Sequence, residues 1–386
     1  MAIDQDALEK QIQRMLPRVK TLRRMLHTIP EIAFTEERTR AQLIKVLQSS
    51  SLRIRKPLIG TDIVADLKAP GAEHTIGLRA DIDALPLRET SGVRHRSNTD
   101  GFMHACGHDG HAAILTGTAL VLSHFRKELK ANVRFIFQPA EEMECGGALL
   151  VRKGVCRGVD EMYALHGWHG YPVGSVVCKE GHFFAANGTF AVIVRGKGAH
   201  GATPEQGRNP IPAAAEIVDR LDELHVNVRR AYGAVISVCT IAAGKSANVI
   251  PERAILQGTT RYYSRRVGDA IVKNIREVVA QVAKAHGVHA HVVYESRYNL
   301  PVINTVQGDT RVREAAKVCG ERHVQISKPL MTSEDFAFYL TGREGALFLI
   351  GLGKRSPALH TPAFDFNDEA LAHGMRMMCT LALTAQ

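Results

Sequence analysis

The chain has 386 residues, 45% of them hydrophobic and 23% charged, the balance of a folded globular protein with room for two domains. Its net charge of +10 is spread along the sequence, and aromatic residues make up only 6%, so nucleic acid is excluded as the main partner. Seven scattered cysteines, no apolar leader core and no uncharged apolar run of about 18 residues predict a cytoplasmic protein without disulfide framework or membrane span.

In chain order, residues 8–26 and 36–50 have the spacing of amphipathic helices, the first discouraged from continuing at Pro30. Short apolar runs at 75–80, 132–139, 161–166 and 346–353 read as buried strands, with helix-like segments such as 111–129 and 310–318 between several of them. This alternation predicts an α/β domain with a mostly parallel sheet flanked by helices. From residue 186 the texture changes to strand, helix (209–230), two strands, helix (268–286) and strand, a compact α+β unit of ferredoxin-like order. The expected organisation is a discontinuous catalytic domain, 1–185 and 299–386, with a smaller domain inserted at 186–298 as a lid.

Chemistry gathers where the first set of strands ends. Asp81 and Asp83 follow one strand, Glu141 and Glu142 a second, His166 closes a third, and His360 lies beyond a fourth. Carboxyl ends of strands are where open α/β sheets build their sites. Between the first two strands lies MHACGHDGHAA, residues 103–113, with Cys106 and His108 in a loop that Gly107 and Gly110 allow to turn tightly. A zinc ribbon would need a repeated C-x-x-C, which is absent.

Thiolate, imidazole and carboxylate together suit zinc, with nickel, cobalt or manganese as alternatives. Glu141 and Glu142 are adjacent, so on extended backbone they face opposite ways, one to bind metal and the other to act as base. That division suits metal-assisted hydrolysis. A thiol enzyme with Cys106 as nucleophile is a second reading, but it leaves Glu142, His166 and His360 without a purpose. A binding protein with a degenerate site is a third.

The motifs MHACGHDGHAA, FQPAEE, ALHGW, GKGAHGATPEQGRNPI, SANVIPE, GTTRYY, TSEDF and LHTPAFDFND occur in one register from RRMLHTIPE to FNDEAL. Together they resemble the metal-dependent amidohydrolases of the aminoacylase and carboxypeptidase-like family. Within it they resemble the hippurate hydrolases and indole-3-acetyl–amino acid hydrolases. The resemblance implies two divalent ions per chain, held by Cys106, His108, Glu142, His166 and His360, with Glu141 as general base. Cys106 would bridge the ions, His108 and His166 completing one and Glu142 and His360 the other.

In the lid, the resemblance assigns His200 to the oxyanion and Asn248 and Arg261 to the substrate's carboxylate. Asp81 would stand behind the ligands, and His104 and His111 would be supporting or helix-start residues. Asn209 stands where many members of the subgroup carry aspartate. The implied substrates are small N-acyl amino acids of hippurate type. A dipeptidase, a carboxypeptidase or an N-carbamoyl amino acid amidohydrolase is the alternative on the same fold. The lid is expected to pair chains into a homodimer or homotetramer.

Overall fold

The computed structural model describes residues 4–296 and 300–385 and forms two compact units. The first comprises Met1–Phe183, Ile303–Pro329 and Asp335–Gln386; the second comprises Phe184–Val302 with Leu330–Glu334. The short return at 330–334 was not anticipated by the sequence pattern. It joins the second unit because Ala185 donates its amide to the carbonyls of Leu330 and Thr332, at 3.1 and 2.8 Å. The expected junction at residues 298 and 299 lies outside the described residues.

In the first unit, eight strands form one mixed sheet. Its centre is parallel: Asn132–Gln138, Thr75–Asp81, Glu161–Trp168 and Glu344–Gly351 lie side by side in that order. Antiparallel neighbours flank this centre, Ile63–Leu67 on one side and Val176–Cys178 on the other. The central strands are buried almost without interruption, which is why they read as continuous apolar runs and not as alternating ones.

The helix His108–His124 is buried through most of its length and packs on the N-terminal helix Gln5–His27 and on Ala370–Leu383. Gln5–His27 turns Leu8, Ile12, Val19, Leu22 and Leu26 inward, the one-sided stripe expected of a helix covering a core.

The second unit is a four-stranded antiparallel sheet with two helices. Its strands, Ala186–Arg195, Val235–Ala243, Arg253–Tyr262 and His289–Glu295, take the spatial order second, third, first, fourth. This is the ferredoxin-like order. Ile217 and Leu221 from Pro210–Tyr232, and Ile271, Ile275 and Val279 from Arg265–Ala285, form its core with Phe190, Val192, Val194 and Leu256. Asn209 accepts the Ile211 amide at 3.0 Å, so it is the N-cap of Pro210–Tyr232. Among the described residues, no helix is long and apolar enough to cross a membrane.

Candidate metal centre

Three glycines shape the surroundings of Cys106. Gly107 has a φ of +87°, a left-handed turn that starts the helix His108–His124 immediately after Cys106. Gly110 has a different purpose from the tight turn its position suggested. A Cβ there would stand 2.4 Å from the ring of Phe366, and one on Gly167 2.7 Å from the same ring. Phe366 is therefore seated directly on the metal-loop helix and on the strand that carries His166.

Five side chains converge on this loop. Cys106 Sγ lies 3.4 Å from His166 Nε2 and 3.3 Å from His360 Nε2. Glu142 Oε1 lies 3.1 Å from His360 Nε2 and 3.9 Å from His108 Nε2. Donor atoms of Cys106, His108 and His166 fall within 4.8 Å of one another, as do those of Cys106, Glu142 and His360. Two three-donor groups thus share one sulfur.

The imidazoles are oriented for coordination. His108 Nδ1 donates to the Asp83 carbonyl at 3.0 Å, and His166 Nδ1 donates to the Gly167 carbonyl at 2.8 Å. Each bond turns Nε2 toward the cluster, the arrangement that orients metal-binding histidines. Among the described residues, His108 Nε2 is buried without a hydrogen-bond partner, a costly state that a cation would relieve. The residues fit a metal centre.

Electrostatics point the same way. Burial alone would lower His108, but Asp81, Asp83 and Glu142 outweigh it and raise its pKa to about 10, so the pocket's field favours positive charge. Burial, with Glu142, Glu141 and Asp81 close by, pushes the Cys106 thiol well up. A thiol nucleophile needs the opposite environment. A metal ion would supply the charge that makes this thiol a thiolate.

A third group of Asp81, His108 and His111 also has metal-like spacing, but His111 is committed elsewhere. Its Nδ1 donates to Asp81 at 2.6 Å and its Nε2 accepts the Gly167 amide at 2.7 Å, so it braces the strand of His166. Asp81 also accepts from Arg79 at 2.7 Å, and Arg79 reaches on to Asp335 at 2.8 Å. Asp335 further accepts from Gln138 and, at 2.7 Å, from the Gly147 amide. Sequence reasoning assigned no role to Asp335 although it lies within TSEDF. The available signal was Arg79, a charged residue inside an apolar strand that had to find buried partners. His104 is buried with neither ring nitrogen bonded, and burial lowers its pKa to about 4.

Glu141 and Glu142 are not on extended backbone. Ala140 is left-handed and residues Glu141–Glu144 form one helical turn, so their side chains leave about 100° apart and not on opposite faces. The premise of opposite faces is corrected, because the strand ends at Gln138 and the chain winds at once. Their spacing still separates them: Glu142 is the one that pairs with His360, and its amide donates to Asp83 at 2.9 Å.

His200, Asn248 and Arg261 all belong to the second unit. His200 and Asn248 are neighbours: the short strands Ala199–His200 and Val249–Ile250 pair, and the Gly201 amide donates to the Asn248 carbonyl at 2.7 Å. His200 Nδ1 accepts the Ala202 amide at 3.1 Å, so the neutral ring carries its proton on Nε2. Arg261 lies near the opposite end of its strand from Arg253, paired with Asn187 and Val235. It donates to the Thr260 carbonyl at 2.9 Å and, among the described residues, has no ion pair.

Such a set of potential donors, gathered beside the ends of parallel strands, fits metal-assisted hydrolysis. Residues 77–384 match Peptidase family M20/M25/M40, and the chain belongs to that family. It is a metal-dependent amidohydrolase of that group. It is 34% identical to an N-acetylcysteine deacetylase of Bacillus subtilis, over 95% of this chain and 96% of that one. It is also 34% identical to an N-acetyldiaminopimelate deacetylase of Enterococcus faecalis, over 92% and 94%. Among solved structures, the Bacillus subtilis YxeP protein, a dinuclear metal binding peptidase of the M20 family, superposes with a TM-score of 0.85. The two are 33% identical over 96% of this chain and 98% of that one.

Proposed function

We propose that this protein hydrolyses the amide of N-acyl amino acids, releasing a carboxylic acid and a free amino acid. The observation that carries the reading is the pair of three-donor groups sharing Cys106, with Glu141 starting the turn beside them. Cys106, His108 and His166 would hold one divalent ion, and Cys106, Glu142 and His360 the other. Zinc, manganese, nickel and cobalt all suit the donors. When bound, the ions supply Lewis acidity toward the amide carbonyl and toward water.

Glu141 takes a proton from the attacking water and delivers it to the departing nitrogen, so that hydroxyl ends on the acyl carbon and hydrogen on the amine. His200 offers Nε2–H to the developing oxyanion, a role supported by the amide bond on its other nitrogen. Arg261, half-buried and without an ion pair among the described residues, suits the substrate's carboxylate, with Asn248 as a further polar contact. Asp81 supports the ligands through His111 and Arg79.

The names of the deacetylase relatives support small acyl groups, whereas the motif resemblance supports hippurate-like aromatic ones. Dipeptide and N-carbamoyl amino acid hydrolysis are the alternatives. Pairing of chains through the second unit is supported by its edge strand Val235–Ala243, where Ile241 is 55% exposed. A cytoplasmic location is supported by seven free thiols.

The test is a screen of N-acetyl, N-benzoyl and N-indoleacetyl amino acids, with dipeptide and N-carbamoyl controls, following amine release. Turnover abolished by phenanthroline and restored by divalent metal is expected. Chelator-insensitive turnover would restore Cys106 as nucleophile, and turnover of the controls alone would reject the substrate class.

A further inference from the structure

Glu36 is a buried carboxyl that the chemistry above does not use. It occupies the N-cap position of the helix Glu37–Leu47, yet its side chain caps nothing there. That task falls to Glu31, whose carboxylate accepts the Arg38 and Thr39 amides at 3.2 and 2.8 Å. Glu36 instead turns inward, with 0% exposure. It accepts from the Thr61 hydroxyl at 2.8 Å and from the Ala140 amide at 3.0 Å.

Ala140 is where the chain needs such a hold. Its φ of 59° and ψ of 41° are left-handed, a conformation that a residue with a Cβ avoids. Its carbonyl accepts the Gly146 amide at 2.9 Å, which closes the Glu141–Glu144 turn from behind. Gly146 is packed so closely that a Cβ would stand 1.9 Å from the Pro139 carbonyl oxygen. Asp83 accepts the Glu142 amide. Two carboxylates, Glu36 and Asp83, therefore grip the amides on either side of Glu141.

We propose that Glu36 is a positioning residue: it holds Ala140 in its left-handed turn and so sets the angles at which Glu141 and Glu142 enter the site. The inference rests on the roles proposed for those two glutamates. Misplacing a reacting group by about 1 Å can cost on the order of a hundredfold in rate, so a hold on one amide suffices to matter.

Three variants test it. Glu36→Leu removes both acceptors at similar volume, Glu36→Gln retains a carbonyl oxygen for Ala140, and Thr61→Val frees the other carboxylate oxygen. The first measurement is hydrogen exchange of the Ala140 amide in metal-free protein, which needs neither substrate nor ion. The second is kcat and KM at saturating metal with N-acetyl and N-benzoyl amino acids. Glu36→Leu should speed Ala140 exchange and lower kcat, each at least about tenfold, with KM within about threefold of wild type. Glu36→Gln should restore most of both. If Glu36→Leu does not fold, Thr61→Val should show the same pattern with a smaller loss.

Wild-type exchange or wild-type kcat in folded Glu36→Leu overturns the proposal, as does an equal loss in the Leu and Gln variants. Wild-type protein inactive on every such substrate would instead reject the proposed function, and Ala140 exchange would still decide the hold.

Discussion

His27 donates from Nδ1 to Asp109 at 2.8 Å, and both side chains are fully buried. Asp109 directly follows His108, so this bond fastens the N-terminal helix to the metal loop. Burial by itself would lower His27, but Asp109 and then Glu89 prevail and raise its pKa to about 10 from 6.5. A raised folded-state value means that His27's contribution to stability is complete below 6.5 and is lost as pH climbs through about 10. The difference in melting temperature between wild type and His27→Gln should therefore shrink steadily across that window. A difference that is flat or that widens would show that the charged pair does not stabilise the fold.

Metal content distinguishes the donors from the base. Cys106→Ala and Glu142→Gln remove donors from the two groups that share Cys106, so both should lose metal on dialysis and activity with it. Glu141→Gln should keep its metal while kcat falls by about 100-fold or more, the usual worth of a positioned general base. Elemental analysis after dialysis checks this. Full occupancy in folded, inactive Cys106→Ala, or equal metal loss in both glutamate variants, would reject the assignment.

Arg261 predicts a dependence on a group several bonds from the scissile amide. Replacing the substrate's free carboxylate by a carboxamide should lower kcat/KM by at least about tenfold, roughly 1.4 kcal/mol of transition-state binding. In Arg261→Ala the acid substrate should suffer and the preference for acid over amide should largely vanish. The measurement is a two-by-two comparison of enzyme and substrate forms. An intact preference in folded, metal-loaded Arg261→Ala would mean that another residue reads the carboxylate.

Gly110→Ala sets two effects of opposite sign against each other. Alanine in a helix gains up to about 1 kcal/mol over glycine. Overpacking costs about 1–3 kcal/mol, and a Cβ 2.4 Å from the Phe366 ring cannot be placed without displacing it. Net destabilisation is expected, with partial recovery on adding Phe366→Leu, both read from denaturant melts. A Gly110→Ala protein at least as stable as wild type would show that the ring moves aside freely.

Much of the fold was legible because burial and periodicity coincide. The buried run Thr75–Asp81 and the amphipathic helices Pro210–Tyr232 and Arg265–Ala285 announce themselves in their residues. Glu142, His166 and His360 drew notice because they follow apolar strands, and Cys106 and His108 because a glycine-flanked loop holds them together; the motif resemblance joined the five into one candidate set. What sequence could not reveal depends on long-range geometry. The winding at Ala140 requires a left-handed alanine, which no propensity predicts. The antiparallel neighbours Ile63–Leu67 and Val176–Cys178 resemble the parallel strands in composition, since all are buried. Asp335 acquires its purpose only by meeting Arg79, 256 positions away.

His360 meets Cys106 across 254 positions, and Phe366 then closes over the glycines of the metal loop. A nascent polypeptide emerging from the ribosome therefore carries the Cys106 loop long before His360 and Phe366 exist to meet it. The full set of candidate donors is thus a property of the finished chain, and no N-terminal fragment ending before His360 can present it.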